Sequence, residues 1–166
     1  MVYYAIPIGK GGTYMTVSKA SLGVIGNYTL VLRGRSINNK MYRYVYGYKR
    51  EKGKSATVPR VGIHRVILGI EDSKCFVDHA NGDSLDNRIE NIRACTHAEN
   101  MRNRKLQKNK TGFPGVTLTE HGGYRACVIT NGIKTRKTFR TGEEAHLFYI
   151  ETKKRLHGKF AGYQNK

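Results

Sequence analysis

The stretch FVDHANGDSLDNRIENIRACTHAEN, residues 76–100, decides how the fold is interpreted. It predicts a short strand at 76–79, a loop rich in turn-forming residues, and a returning strand at 92–94. Thr96 then begins a helix, because Glu99 stands at the third helical position of a capping box. The stretch therefore predicts a strand–loop–strand–helix unit.

Carboxylates are concentrated around this stretch, in a chain that is otherwise strongly basic. The 166 residues carry 30 Lys and Arg against 12 Asp and Glu, a formal net charge of +18. Residues 71–99 hold seven of the acids, whereas residues 1–70 hold only Glu51. The positive charge favours a polyanionic partner, and nucleic acid leads because no basic amphipathic helix with a broad apolar face stands out. A cation bound among the acids would offset their repulsion of a polyanion.

The residue types in this stretch suit the hydrolysis of a phosphodiester bond. That reaction needs an activated water, charge stabilisation on the phosphorus oxygens and assistance to the leaving oxygen. His79 can deprotonate water, and Asp78 offers a hard oxygen ligand for Mg²⁺. Asn100, on the following helix, can supply a second oxygen ligand. Asn91 can brace the loop through its amide and so fix the imidazole.

The spacing of these residues resembles the HNH nuclease motif, in the variant of phage and intron-encoded homing endonucleases. The resemblance implies a ββα-metal fold with Asp78 and Asn100 as metal ligands, His79 as general base and Asn91 as the structural amide. The upstream helix of that variant is matched by the run HRVI at 64–67. The third motif position is Asn rather than His, and both occur in the family.

Two further residues near the motif are candidates for contacts with a DNA phosphate. Arg93 lies on the predicted returning strand, and His97 stands one helical turn before Asn100. For His97 the alternative is an exposed helix residue with no ligand role. The remaining acids of the loop are interpreted as turn and cap residues, namely Asp83, Asp86 and Glu90.

The N-terminal part of the chain is predicted to be rich in β-strands. YRYVYGYK at 42–49 alternates strictly, and further strands are predicted at 3–9 and 28–34. The alternating tyrosines are interpreted as a packed sheet face, with stacking on bases as the alternative. The apolar run 60–70 predicts a short buried helix that ends near Gly69.

Residues 112–162 show a second pattern. Three short strands are joined by Gly-Gly and Asn-Gly turns and followed by one amphipathic helix. Thr141 and Glu144 form a capping box at the start of this helix, and Gly158 ends it. The helix covers one face of the predicted sheet, and the other face is basic and uncovered, as suits a DNA groove.

This second pattern resembles the plant ethylene-response-factor (Apetala) type of DNA-binding domain. The matching runs are PGV, GGYRA, TFRTGEEA and LHGKFA, at 114–116, 122–126, 138–145 and 156–161. In that family three strands contact the DNA major groove and a helix lies behind them. The tryptophans common in the plant domains are absent, with Tyr124 at one such place, so base specificity does not transfer.

Basic side chains after the motif and on the predicted strands are assigned to DNA binding. A solvated charge run is the alternative interpretation for residues 102–110. The assigned residues are Arg102, Arg104, Lys105, Lys108, Arg125, Lys134, Arg136, Lys137 and Arg140.

The chain is therefore predicted to be an α+β protein in four parts. These are a β-rich N-terminal region (1–58), a ββα-metal HNH core (59–104), a basic linker (105–111) and a DNA-binding domain of three strands and a helix (112–162). The expected activity is metal-dependent hydrolysis of double-stranded DNA to 5′-phosphate and 3′-hydroxyl ends. Mg²⁺ is the expected ion, with Mn²⁺ as the alternative. A single site predicts nicking of one strand by a monomer, and a double-strand break only by a dimer on DNA or by two binding events. A DNA-binding regulator without catalysis and a structural RNA-binding protein are the alternative functions.

Other features argue against membrane, secreted and zinc-stabilised classes. No run of 18 apolar residues exists, and the N-terminus lacks a signal-peptide pattern, so a cytoplasmic location in a bacterial or phage-infected cell is expected. The cysteines Cys75, Cys95 and Cys127 form no C-x-x-C pair and no disulfide framework. Their spacing to His97 also disfavours a zinc site.

Overall fold

A computed structural model describes residues 2–37, 40–49, 59–104 and 109–162. It shows a mixed α+β chain with several small sheets and few helices. The chain divides into two compact units, Met1–His97 and Ala98–Lys166. Within the described ranges, no helix is long and apolar enough to span a membrane. Glu51, Lys105 and Lys108 lie outside the described residues.

The first unit is built mainly from short strands. In chain order its elements are β1 (Tyr3–Ile8), β2 (Thr13–Ser18), a 3₁₀ helix (Lys19–Ser21), α1 (Leu22–Ile25), β3 (Tyr28–Ile37), β4 (Lys40–Lys49), β5 (Val61–Gly62), α2 (Ile63–Leu68), β6 (Phe76–His79), β7 (Asp86–Asn87) and β8 (Ile92–Cys95). The sheets have the orders β1-β2-β7, β3-β4-β5 and β6-β8. All pairs are antiparallel except β2 with β7, which is parallel.

The core of the first unit joins the N-terminal strands to the motif segment. Its buried members are Ile8, Met15, Val17, Ile25, Val45 and Ile63. Ile63 begins α2, the helix predicted from the apolar run, and α2 ends as predicted at Gly69, whose φ is 65°. The strands predicted around residues 76–79 and 92–94 are confirmed as β6 and β8. The first strands of the chain therefore pack in one core with the segment that carries the motif.

The alternation on β4 is confirmed, but the prediction that its tyrosines form the packed face is wrong. Val45 is 1% exposed and belongs to the core, whereas Tyr44, Tyr46 and Tyr48 on the other face are half-buried. The reason is the close approach of α2 to the Val45 face. A Cβ atom on Gly47 would lie 2.7 Å from Cδ1 of Ile63, so this face has no room for tyrosine rings.

The second unit follows the predicted order of strands and helix. Its elements are β9 (Val116–Leu118), β10 (Tyr124–Thr130), β11 (Ile133–Phe139), α4 (Gly142–His157) and a 3₁₀ helix (Gly158–Phe160), and α3 (His97–Arg102) spans the division between the units. The antiparallel sheet has the order β11-β10-β9, and α4 packs on one face through Ala145, which is buried with Val116 and Ala126. As predicted, Thr141 Oγ1 accepts a hydrogen bond from the Glu144 amide at the start of α4.

Candidate active site

The antiparallel pairing of β6 with β8 places Asp78 directly opposite Arg93. Asp78 is 5% exposed, and its Oδ2 atom accepts hydrogen bonds from Arg93 Nε at 2.8 Å and Nη2 at 2.6 Å. A buried carboxylate needs compensation by an opposite charge or by hydrogen bonds, and the guanidinium supplies both. The predicted metal ligand is therefore a buried carboxylate held in a two-bond ion pair.

His79 follows Asp78 on β6 and is also buried, at 7% exposed. Its Nε2 atom lies 3.2 Å from Oδ1 of Asn87. An amide oxygen can only accept, so this contact places the ring proton on Nε2 and the lone pair on Nδ1. Burial lowers the pKa of His79, and the hydrogen bond to Asn87 and the charge of Asp78 offset part of that effect. The imidazole is thus kept neutral near pH 7, the form that a general base requires.

Asn87 is placed by the N-terminal region. It belongs to β7, which pairs in parallel with β2 so that Val17 lies opposite Asn87 and Thr16 opposite Asp86. Asn87 is 1% exposed, and its amide nitrogen donates to the Ser84 carbonyl at 3.5 Å, which leaves its oxygen turned to the imidazole. Sequence reasoning missed Asn87, because its loop carries several asparagines and no local signal selects the one that contacts the ring.

The Asn91 side chain braces the loop, as predicted, but it bonds to backbone groups of the loop and not to the imidazole. Its Nδ2 donates to the Asp86 carbonyl at 2.7 Å, and its Oδ1 accepts from the Asn81 amide at 3.0 Å. The Ala80 amide also donates to the Asn91 carbonyl at 2.8 Å. These bonds tie the two ends of the loop between β6 and β8, whereas the side chain of Asn87 bonds to the His79 ring.

Asp86 and Arg88 form a second two-bond ion pair in the same loop. Arg88 Nε and Nη2 each lie 2.7 Å from a different oxygen of Asp86, which also accepts from Asn81 Nδ2 at 2.8 Å. Burial alone would raise the pKa of Asp86, but the hydrogen bonds from Arg88 outweigh burial and hold it below the ordinary value. The sequence predicted a turn or cap residue at Asp86, whereas the structure places it on the short strand β7, where it braces the loop.

Two residues from outside the motif stretch form one wall of the site. The ring centroids of His64, on α2, and His79 lie 5.5 Å apart in an edge-on contact. The ring centroid of Tyr44, on β4, lies 6.4 Å from that of His79 and 6.2 Å from that of His64. Burial, together with the smaller electrostatic effects of His79 and Arg65, lowers the pKa of His64 to about 4. The wall is therefore aromatic and neutral. Tyr44 had no sequence signal beyond its place in the alternating run.

The donor atoms suit a hard cation that keeps most of its own waters. Among the described residues, no group of three or more His, Cys, Asp and Glu side chains is placed to hold a metal ion. Mg²⁺ needs no such group, because it binds through one or two carboxylates together with waters and substrate phosphates. Asp78 supplies such a carboxylate, so the donor set fits Mg²⁺, whereas zinc sites take three or four protein ligands.

Asn100 and His97 lie on α3. Asn100 is half-buried, and its predicted role as an oxygen ligand stays a prediction. His97 is exposed, and its ring makes an edge-on contact with the Phe76 ring at 5.3 Å. His97 is therefore an exposed helix residue, and its role as a phosphate contact stays a prediction.

The second unit presents an uncovered, basic sheet face. The register pairs Arg125 with Thr138, Cys127 with Arg136 and Ile129 with Lys134, and these side chains lie on the face away from α4. The exposed members include the cations Arg125, Lys134 and Arg136.

The remaining predicted DNA-binding residues of this unit lie elsewhere. Lys137 pairs with the buried Ala126 and points to the α4 side, where its ammonium lies 5.3 Å from the Phe139 ring centroid and 5.9 Å from that of Phe148. Arg102 donates to Asn131 Oδ1 at 2.8 Å. Two further predicted cations are exposed, namely Arg104 and Arg140.

Comparisons with known proteins agree with the motif. Residues 61–102 match the family model described as HNH endonuclease. The chain is 29% identical over 168 residues to an Acanthamoeba polyphaga mimivirus protein named as an uncharacterised HNH endonuclease, covering 97% of this chain and 80% of that protein. It is 29% identical over 91 residues to Protein 3.8 of Escherichia phage T7, covering 54% of this chain and 75% of that protein. No solved structure matches.

These matches identify an HNH endonuclease family domain in residues 61–102 and point to a nuclease. They give no support to the resemblance between residues 112–162 and the plant DNA-binding domains.

Proposed function

We propose that this protein is a metal-dependent endonuclease that hydrolyses phosphodiester bonds in double-stranded DNA. One observation carries the proposal. His79 is buried beside Asp78 on β6, and the hydrogen bond to Asn87 holds its ring in the tautomer that leaves Nδ1 as the base. The family match over residues 61–102 supports a nuclease, and the net charge of +18 supports a polyanionic substrate.

The proposed mechanism assigns one task to each residue. His79 Nδ1 accepts the proton of the attacking water, and Asn87 holds the ring during the transfer. Asp78 and Asn100 would hold the divalent ion, Mg²⁺ or Mn²⁺. When bound, that ion supplies charge neutralisation at the phosphate and at the leaving 3′ oxygen. Arg93 is proposed to contact a phosphate oxygen through its guanidinium.

DNA binding is assigned mainly to the second unit. Arg125, Lys134 and Arg136 share one uncovered sheet face, and an extended basic face of this width suits the backbone and major groove of a duplex. Arg102, Arg104 and Arg140 are proposed as additional phosphate contacts. The assignment of Lys137 to DNA binding has the least support, because its ammonium lies over the aromatic rings on the α4 side.

The biological setting is proposed from the relatives. One matched relative belongs to a bacteriophage and the other to a giant virus, so a role in the cytoplasm of an infected cell is consistent with both. A homing-type activity at a specific site would follow from the resemblance of the motif.

A supercoiled-plasmid assay tests the proposal. The protein with Mg²⁺ is expected to convert supercoiled DNA to open-circle DNA, and EDTA is expected to prevent it. DNA ligase should then reseal the nick without kinase treatment, because only a 5′-phosphate beside a 3′-hydroxyl can be sealed. Conversion that proceeds in EDTA, or nicks that ligase cannot seal, would contradict the proposed chemistry. Linear product at high protein concentration only would indicate that two copies act on one site.

A further inference from the structure

The ion pair with Arg93 occupies one oxygen, Oδ2, of the Asp78 carboxylate that is proposed to bind a cation. Two N–H donors of Arg93, on Nε and Nη2, are directed to Oδ2, at 2.8 and 2.6 Å, and the side chains of Asp78 and Arg93 are 6% and 17% exposed. Because the two residues are cross-strand partners of β6 and β8, the backbone itself sets them side by side. The backbone therefore places the two side chains next to each other, and their contact is not a chance surface pairing.

A divalent ion and the guanidinium compete for this oxygen. Each carboxylate oxygen offers about two lone-pair positions, and two N–H groups of Arg93 take up those of Oδ2. A cation at Oδ2 would also meet the positive guanidinium at close range in a poorly solvated place, where like charges repel strongly. Arg93 thus stabilises the buried carboxylate and lowers its affinity for a cation.

A DNA phosphate can relieve this competition. A guanidinium binds a phosphate through the same planar pair of N–H donors that it uses for a carboxylate. Arg93 keeps part of its side chain exposed, whereas Asp78 is almost fully covered, so of the two partners Arg93 is the one that an incoming phosphate can reach.

We propose that Arg93 couples metal binding to DNA binding, by occupying Asp78 Oδ2 until a phosphate draws the guanidinium away. The inference rests on the proposed function, because it assumes a divalent ion at Asp78 and a DNA substrate. Linkage makes the effect reciprocal: DNA raises the affinity for the ion, and the ion raises the affinity for DNA by the same factor. Free Asp78 is then created only where a phosphate is present.

The neighbouring pair between Asp86 and Arg88 provides a matched control. It is also a two-bond pair, at 2.7 Å for each bond, but it engages both oxygens of a carboxylate that braces the loop. Arg88→Gln therefore removes the same charge and a similar ion pair without releasing Asp78. Any effect of net charge alone appears equally in Arg88→Gln and Arg93→Gln.

The test is binding of Mn²⁺, measured by electron paramagnetic resonance, with all proteins carrying His79→Ala so that added duplex DNA stays intact. Without DNA, Arg93→Gln is expected to bind Mn²⁺ about tenfold more tightly than the parent, and Arg88→Gln to stay within about twofold. Adding duplex is expected to tighten Mn²⁺ binding by the parent about tenfold and by Arg93→Gln less than twofold. Arg93→Lys, which keeps a charge but has a single ammonium, should lie between them. If circular dichroism shows that Arg93→Gln is unfolded, Mn²⁺ binding by Arg93→Lys is compared with the parent instead.

Each other outcome decides against the proposal. If Arg93→Gln and Arg93→Lys bind Mn²⁺ only as tightly as the parent, or more weakly, Arg93 does not compete with the ion and this inference is overturned. The proposed function still stands in that case if the native protein cleaves DNA with Mg²⁺ and Asp78→Asn does not. If Asp78→Asn leaves Mn²⁺ binding unchanged, no ion binds at Asp78, and the metal assignment of the proposed function fails together with this inference. Equal tightening by DNA in parent and Arg93→Gln overturns the coupling alone.

Discussion

The Nε2 atom of His79 lies 3.2 Å from Oδ1 of Asn87, and both side chains are buried. The amide cannot titrate, so it fixes the tautomer of the imidazole without adding a charge. It is itself fixed by the pairing of β7 with β2, so strands near the start of the chain set the orientation of the proposed base.

Asn87→Ala is expected to slow DNA cleavage about 5- to 150-fold at saturating substrate, because losing a buried hydrogen-bond partner costs about 1–3 kcal/mol. The rate should be measured in single turnover, well below the melting temperature of the variant. Asn87→Asp retains an acceptor oxygen and is expected to lose less activity than Asn87→Ala. Equal losses in the two variants would show that the acceptor is not what matters at this position.

Asn91→Ala is expected to act mainly on stability. It removes the bonds to the Asp86 carbonyl and the Asn81 amide, which lie at 2.7 and 3.0 Å, and leaves these groups without that partner. The free energy of unfolding should fall by about 2 kcal/mol or more, as measured by urea denaturation. Asn91→Asp keeps the acceptor for Asn81 and should lose about half as much. A variant with native stability would contradict the bracing role.

His64 predicts a pH dependence of stability. Its pKa is about 4 in the folded protein, below the ordinary value near 6.5, because burial disfavours the charged ring. The unfolded chain therefore binds more protons between these two values. Above about pH 6.5, the contribution of neutral His64 to the free energy of unfolding is complete. As the pH falls toward 4, this contribution is lost, and the free energy of unfolding decreases by up to about 3 kcal/mol.

Urea denaturation of native protein and His64→Gln at pH 7.5, 5.5 and 4.5 measures this contribution. Other groups, His79 among them, also destabilise the fold in acid, and they are common to both proteins. The difference in unfolding free energy between the two proteins should shrink as the pH falls. A difference that stays constant over this range would show that His64 is not buried in its neutral form.

Arg136 and Lys137 are adjacent on β11 but face opposite sides of the sheet. If the uncovered face binds DNA, Arg136→Ala should weaken binding of duplex and reduce the slope of log affinity against log salt by about one. Lys137→Ala removes the same charge and should leave that slope unchanged. Fluorescence anisotropy at several salt concentrations distinguishes the two, and equal effects would contradict binding through this face.

Local patterns in the sequence predicted much of the secondary structure. The helix that ends at Gly69, the strands β6 and β8, and the helix that begins after Thr141 all carry their signals within a few residues. The motif likewise places Asp78 and His79 next to each other without any knowledge of the fold. Such features depend on neighbours in sequence, and sequence patterns describe those well.

The rest of the site depends on contacts between distant segments. Asn87 is selected by the two-residue pairing of β7 with β2, and Tyr44 and His64 reach His79 only because β4 and α2 pack beside β6. The face of β4 was predicted wrongly for the same reason, since it is the Val45 and Gly47 face that packs against Ile63 in the core. No periodicity within one segment encodes such contacts.

The proposed role of His79 as the general base is tested most directly by comparing the DNA cleavage rates of three proteins. Native protein, His79→Ala and His121→Ala, an exposed histidine of the second unit, should be compared on supercoiled plasmid with Mg²⁺ in single turnover. We expect a loss of about 10²- to 10⁴-fold for His79→Ala, partial recovery with added imidazole, and a native rate for His121→Ala. A His79→Ala protein that is folded and nicks DNA at the native rate would contradict the proposed role of His79.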